Sequence, residues 1–218
     1  MKAEVKDIAI YGAGGFGRET ACLLRMMDTG MSPRWNFIGF FDDGITFGTE
    51  NEYGKVLGNI DTLNSWNKPL AIVFAIGSPK TVESLYSKVA NANIDFPNII
   101  GPGTIFVDKD NVKIGKGNII GGRCSISCNV EIGNFNTFNG NVIIGHDAII
   151  GNYNSIMPSC NISGGVMIGN RNFIGVNSVI LQYKTIADDC VIGASSVVMR
   201  NIKQPGTYVG NPANKLEF

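Results

Sequence analysis

Histidine is almost missing from this 218-residue sequence; the single one is His146. The five cysteines, Cys22, Cys124, Cys128, Cys160 and Cys190, include no C-x-x-C pair. With one His, these spacings build no ordinary zinc site, so no metal is expected. The cysteines read as small buried hydrophobes. Charge is also scarce. Only 17% of residues are charged, and 18 Lys+Arg balance 18 Asp+Glu. Nucleic-acid binding normally needs a basic excess, so no such partner is expected. No apolar run reaches the roughly 18 residues of a membrane span, so no membrane insertion is expected. The opening MKAEVKDIAIYGAGG lacks the apolar stretch and small-residue cleavage site of a secretory signal. This pattern reads as cytoplasmic. Hydrophobic residues make up 44% of the chain, enough to bury a core rather than leave it disordered.

Glycine, by contrast, is plentiful at 28 residues, and much of it recurs with a period of six. From Val112 the chain divides into 15 uninterrupted hexads ending at Asn201, beginning VKIGKG, NIIGGR, CSISCN, VEIGNF. The third position is Ile in 13 of them, with Phe138 and Val198 in the other two. An α-helix cannot use this period, because 3.6 residues per turn would smear the Ile stripe around its surface. A parallel β-helix can, with one large residue per short strand pointing inward. The Gly and Asn positions are then expected at corners with unusual backbone angles. Three hexads per triangular coil predict five coils of 18 residues, stacked about 4.8 Å apart. Ile144, Ile150 and Ile162 are expected inside. Asn136, Asn154 and Asn172 are expected on a flat outer face where a neighbouring copy could pack.

The first third has a different pattern. Residues 7–11 read as a buried strand running into Gly12-Ala13-Gly14-Gly15-Phe16-Gly17. A helix of about residues 16–28 follows, with Ala21, Leu24 and Met27 on its apolar side. Strands are expected at 37–41 and 70–76, and a second helix at about 79–91. Alternating strands and helices predict a small doubly wound parallel sheet. The G-x-G-x-x-G lets backbone N–H groups approach a phosphate at a helix N-terminus. Asp42 stands near the place of a ribose-reading acid. A tight turn without a ligand remains the alternative. A sheet of about 95 residues is also half a full dinucleotide fold. The boundary is placed in the Pro- and Gly-bearing stretch 92–111, giving domains 1–95 and 96–218.

His146 occupies a corner position in Ile144-Gly145-His146-Asp147. Eighteen residues on stands Gly164, in Ser163-Gly164-Gly165. Coil arithmetic stacks the two, pairing a base with an unobstructed backbone N–H. Acyl transfer requires both, one to take the nucleophile's proton and one to meet the oxyanion. Asp147 could orient the imidazole. Spacing alone suits a solvated corner histidine equally well.

The order of these features resembles the bacterial nucleotide-amino-sugar N-acetyltransferases. It also resembles the related sialic-acid O-acetyltransferase group of the hexapeptide-repeat acyltransferases. Their short Rossmann-like domain is followed by hexads, a Gly-His-acid catalytic segment, a small pair about 18 residues on, and a Gly-x-Pro-Ala end, here Gly210-Asn211-Pro212-Ala213. The resemblance covers essentially the whole chain. It implies an α/β domain followed by a left-handed parallel β-helix, since periodicity does not set the hand. It implies His146 as general base with Asp147 beside it, and Gly164 meeting the acetyl carbonyl. Gly165, Arg171, Gly210, Pro212 and Ala213 would border acetyl-CoA, in a groove between subunits of a homotrimer. Gly14, Gly15, Phe16, Asp42, Asp43 and Gly77 would border a nucleotide amino sugar. Three positions depart from the N-acetyltransferase pattern. Phe16 and Ser155 stand where that pattern has His, and Asp147 where it has Glu. The resemblance implies acetyl transfer to a nucleotide-linked amino sugar, such as a 4-amino-4,6-dideoxyhexose, or alternatively to a sugar hydroxyl.

Overall fold

The computed structural model describes residues 5–27 and 35–217. The first unit is a sheet whose strands run β1 (Lys6–Tyr11), β2 (Trp35–Phe41), β3 (Glu50–Asn51), β4 (Gly54–Gly58), β5 (Leu70–Phe74) and β6 (Ile94–Asp95). Their spatial order is β3-β4-β2-β1-β5-β6, parallel except for the β3–β4 hairpin. Helices α1 (Gly15–Met27), α2 (Ile60–Asn64) and α3 (Pro79–Lys88) complete it. The expected α1 end at residue 28 lies outside the described residues. Ala21 and Leu24 are buried as the helical period requires, and Met27 is partly so. The second helix stops three residues short of its expected end. Val89 takes an extended backbone there, with its N–H on the Tyr86 carbonyl. Strands β3, β4 and β6 and helix α2 leave no periodic signal in the sequence, because all have five residues or fewer, too short to establish a period.

From Ile99 to Val198 the chain forms a left-handed β-helix of two- and three-residue parallel strands on three faces. The first face includes Ile119–Ile120, Thr137–Phe138 and Ser155–Ile156. The second includes Ser125–Ile126, Ile143–Ile144 and Asn161–Ile162, and the third Glu131–Ile132, Ile149–Ile150 and Met167–Ile168. Partners are offset by 18 residues, as the hexads require. The inner Ile ladder is buried: Ile144, Ile150 and Ile162 are at most 2% exposed. Each such side chain contributes roughly 1.5–3 kcal/mol.

Two details differ from the sequence reading. Coiling starts earlier than Val112, because Ile99–Ile100 and Ile105–Phe106 already pair with Ile119–Ile120 and Ser125–Ile126. Their offset is 20, since a 3-10 turn at Lys109–Asn111 adds two residues, and this hides the repeat. Five coils was therefore an undercount. Secondly, Asn136, Asn154 and Asn172 do not form an outer face. They are at most 1% exposed, and each amide oxygen accepts the next coil's backbone N–H at 2.8 Å. A buried amide needs such partners, and the inner corner supplies them.

The corners also divide their work differently than expected. Every sixth hexad position from Gly117 to Ser195 is left-handed, with φ between 55° and 70°, whatever its side chain. The fourth-position glycines have no such angle. They are required by close approach: a Cβ on Gly133 would lie 2.6 Å from the Gly151 carbonyl oxygen. The left-handed conformation costs a non-glycine residue roughly 1–2 kcal/mol. At Phe135 and Tyr153 docking offsets that cost. Their rings stack with centroids 5.6 Å apart, and Phe135 meets Phe74, Tyr86 and Phe96 of the sheet domain. The sheet domain thus covers the first face, burying Ile119, Thr137 and Ser155.

Candidate active site

Gly12, Gly14, Gly15, Asp42, Asp43 and Gly77 come together at the carboxyl ends of β1, β2 and β5. Strands β2 and β5 flank β1 there, so the connections diverge, and the crevice of a doubly wound sheet opens at such a point. Gly12 has φ +108°, and its Cβ would lie 2.7 Å from the Ala75 carbonyl oxygen. Gly17 packs so closely on the Gly12 carbonyl that no side chain fits. Around Gly14 and Gly15 the space is open. The loop is therefore rigid at its ends and accessible at its tip, where α1 begins.

Both acids brace this loop, a role that spacing did not reveal. Asp42 accepts the Ala13 N–H at 2.8 Å through one oxygen, and Gly44 and Ile45 N–H through the other. Asp43 accepts the Tyr11 hydroxyl at 2.6 Å and the Ile60 N–H at 3.1 Å. Burial, with Asp43 as acceptor, pushes the Tyr11 phenol up and keeps it a donor. A cavity of about 390 Å³ opens beside them, bordered by Lys80, Thr81 and Lys88 of α3. Phe16 looks elsewhere, into a cleft of about 700 Å³ between α1 and the first coils.

The corner between the second and third faces stacks Cys128, His146, Gly164, Gln182 and Arg200 at 18-residue intervals. His146 Nδ1 lies 2.7 Å from Asp147 Oδ2, and Asn129 Nδ2 donates to Asp147 Oδ1 at 3.2 Å. These bonds, the imidazole first, hold the Asp147 carboxyl below its ordinary range. The other ring edge lies against Gly164: a Cβ there would be 2.5 Å from Nε2. The Gly165 N–H is taken by the His146 carbonyl at 2.8 Å, whereas the Gly164 N–H has no protein acceptor among the described residues. An accessible imidazole, oriented by a carboxylate, therefore sits over a free N–H. The geometry suits proton removal beside a developing oxyanion.

Gly210, Pro212 and Ala213 lie in the turn between strands Gly206–Val209 and Asn214–Lys215. The Ala213 N–H donates to the Val197 carbonyl, and Gly210 accepts the Val197 N–H, so the turn seats on the second face near its end. Gly164 stands at the corner where that face ends. Arg171 stands at a different corner. It projects from the corner between the third and first faces. Its guanidinium is engaged by Asp189 at 2.9 Å, Asp188 at 3.3 Å and Glu83 of α3 at 3.2 Å. Arg171 ties the two domains together. Ser155 is likewise distant from His146, buried and bonded to Gly77. Cys124, Cys160 and Cys190 are buried as expected, but Cys22 and Cys128 are half-exposed. Among the described residues no three His, Cys, Asp or Glu groups could hold a metal ion together. No helix among them is long and apolar enough to cross a membrane.

Residues 7–89 match the PglD N-terminal domain. No curated protein sequence matches the chain. Among solved structures, it is similar to WeeI from Acinetobacter baumannii AYE, at 28% identity and TM-score 0.85, covering 97% of this chain and 100% of that one. The acetyltransferase domain of PglB from Neisseria gonorrhoeae FA1090, in complex with acetyl coenzyme A, is 25% identical with TM-score 0.86, over 98% and 100% of the two chains. A variant of perosamine N-acetyltransferase from Caulobacter crescentus, in complex with CoA and GDP-perosamine, shares the fold at 22% identity and TM-score 0.86, over 100% of both. Residues 7–89 thus resemble the PglD N-terminal domain, and the chain as a whole shares the fold of these acetyltransferase structures.

Proposed function

We propose that this protein is an acetyl-CoA-dependent N-acetyltransferase of a nucleotide-linked amino sugar, such as a 4-amino-4,6-dideoxyhexose, acting in the cytoplasm. The observation that carries this reading is the His146 ring, with Nδ1 on Asp147 and Nε2 over Gly164. The acetyl groups and sugar nucleotide of the similar proteins point the same way: PglB is complexed with acetyl coenzyme A and the perosamine enzyme with GDP-perosamine.

In this mechanism the sugar amine attacks the thioester carbon directly. A nitrogen–carbon bond forms, and His146 Nε2 takes the amine proton. The oxyanion is met by the Gly164 N–H. Asp147 stabilises the imidazolium. Collapse breaks the carbon–sulfur bond, and the thiolate takes the proton back. The nucleotide binds at the Gly12–Gly17 loop and the Asp42–Asp43 turn.

In one chain these two halves do not meet. The sheet domain covers the first face, and His146 lies on the opposite edge, between the other two. A site completed by the sheet domain of a second copy would close that gap, and the homotrimer is the working form that would supply it. Exposed Ile143, Ile149 and Met167 flank the edge and suit such a contact. A thiol-release assay with acetyl-CoA and a panel of UDP-, dTDP- and GDP-amino sugars tests the function. Turnover of hydroxyl acceptors alone would replace it with O-acetylation. Light scattering giving a monomer mass would reject the shared site.

A further inference from the structure

Three aromatic residues occupy left-handed sixth positions: Phe135, Tyr153 and Tyr183, with φ of 55°, 58° and 59°. The first two are docked against the sheet domain. Tyr183 is not. It is 69% exposed, and its hydroxyl makes no hydrogen bond among the described residues. The fold therefore shows no return for placing a large ring in a strained conformation there.

Its position does suggest one. A Cβ on Gly165 would lie 2.4 Å from the Tyr183 ring, just as one on Gly164 would meet His146. The two rings thus rest on two consecutive glycines, His146 from the coil before and Tyr183 from the coil after. Backbone bonds lock the stack: Gly165 N–H to the His146 carbonyl at 2.8 Å, and Tyr183 N–H to the Gly164 carbonyl at 3.0 Å. A thioester over Gly164 therefore has imidazole on one side and phenol on the other. The Gly210–Ala213 turn lies further along the same direction as Tyr183. Exposed Leu181 and Met199 lie along that stretch.

Resting on the acetyl-CoA reading above, we propose that Tyr183 is a positioning residue for the coenzyme. Its ring face packs on the pantetheine arm next to the sulfur and keeps the acetyl carbonyl on the Gly164 N–H. An aromatic face of this size supports about a tenfold effect on affinity.

The test compares Tyr183→Ala and Tyr183→Phe with the wild type and with His146→Ala. Steady-state kinetics, calorimetry with acetyl-CoA and light scattering provide the readouts. The expected result is a KM and Kd for acetyl-CoA raised about tenfold in Tyr183→Ala. The amino-sugar KM, oligomer mass and melting temperature stay unchanged, and Tyr183→Phe behaves like wild type. His146→Ala loses turnover but still binds acetyl-CoA. An unchanged acetyl-CoA KM in Tyr183→Ala, a rise in amino-sugar KM instead, a Phe variant as impaired as Ala, or loss of assembly would each overturn the proposal. A wild type that binds no acetyl-CoA would overturn the functional reading itself.

Discussion

The Ser155 hydroxyl donates to the Gly77 carbonyl oxygen at 3.0 Å, joining the β-helix to the loop after β5. Ser155 is 3% exposed, so this bond is sheltered from water. It fixes the rim of the proposed nucleotide crevice to the same rigid body that carries His146. Arg171 and Glu83 make a second tie, and the Phe135–Tyr86 contact a third. The crevice and the imidazole are therefore held at a set separation within each chain.

His146→Ala should lower turnover by about 10²–10⁴-fold, the usual range for loss of a general base. The side chain is 45% exposed, so unfolding free energy should change by no more than about 0.5 kcal/mol. Single-turnover acetyl transfer and thermal melts check both. Unimpaired turnover would remove the proposed base.

Two glycine variants should separate site from scaffold. A methyl on Gly164 meets the movable His146 ring, whereas one on Gly151 meets the Gly169 carbonyl oxygen at 2.5 Å. Gly164→Ala should abolish most activity in a protein that melts near the wild-type temperature. Gly151→Ala should lower the melting temperature itself, because backbone cannot swing aside. Equal melting temperatures in the two would contradict this reading of the coil contacts.

The Gly-rich loop invites the same comparison. Gly14→Val enters open space, so the fold should survive, while a branched side chain blocks an anion from the backbone. The amino-sugar KM should rise strongly and the Kd for acetyl-CoA barely move. Gly17→Val has no room against the Gly12 carbonyl and should fail to fold. Calorimetry with UDP, dTDP, GDP and NAD provides the control. Binding of NAD with no nucleoside diphosphate would point the loop at a different ligand.

The Arg171 hydrogen bond, with burial opposing it and Lys80 adding, holds the Asp189 carboxyl below its ordinary value. A depressed carboxylate pKa contributes stability above its unfolded value of about 3.9, and that contribution disappears as pH falls through the folded value. Wild type should therefore outlast Arg171→Met in denaturant at neutral pH. The gap should close progressively below about pH 4. A gap independent of pH would show that packing, rather than charge, makes the tie.

The period-six repeat was legible because each hexad obeys the same local rule, one inward Ile per strand, and such rules need no knowledge of distant contacts. The stacking of His146 on Gly164 followed from the same arithmetic, as did the burial of Ile144 and Ile162. The strand–Gly-loop–helix order of the first third was equally plain in its residues. Other features depend on which faces meet. Arg171 sits among hexads like any other, yet only the docking of α3 presents Glu83 to it. Asp42 and Asp43 look free in the sequence, and only the folded turn supplies Ala13, Tyr11 and Ile60 as donors. Asn136 and Asn154 look like surface residues until the coil closes over them and pairs their amides. Nor does Tyr183 differ in the sequence from Tyr153. Only the tertiary structure packs one ring against the sheet domain and leaves the other open beside Gly165. Periodicity sets where a residue stands within its own coil, whereas burial and partnership depend on elements brought together from up to 88 residues away.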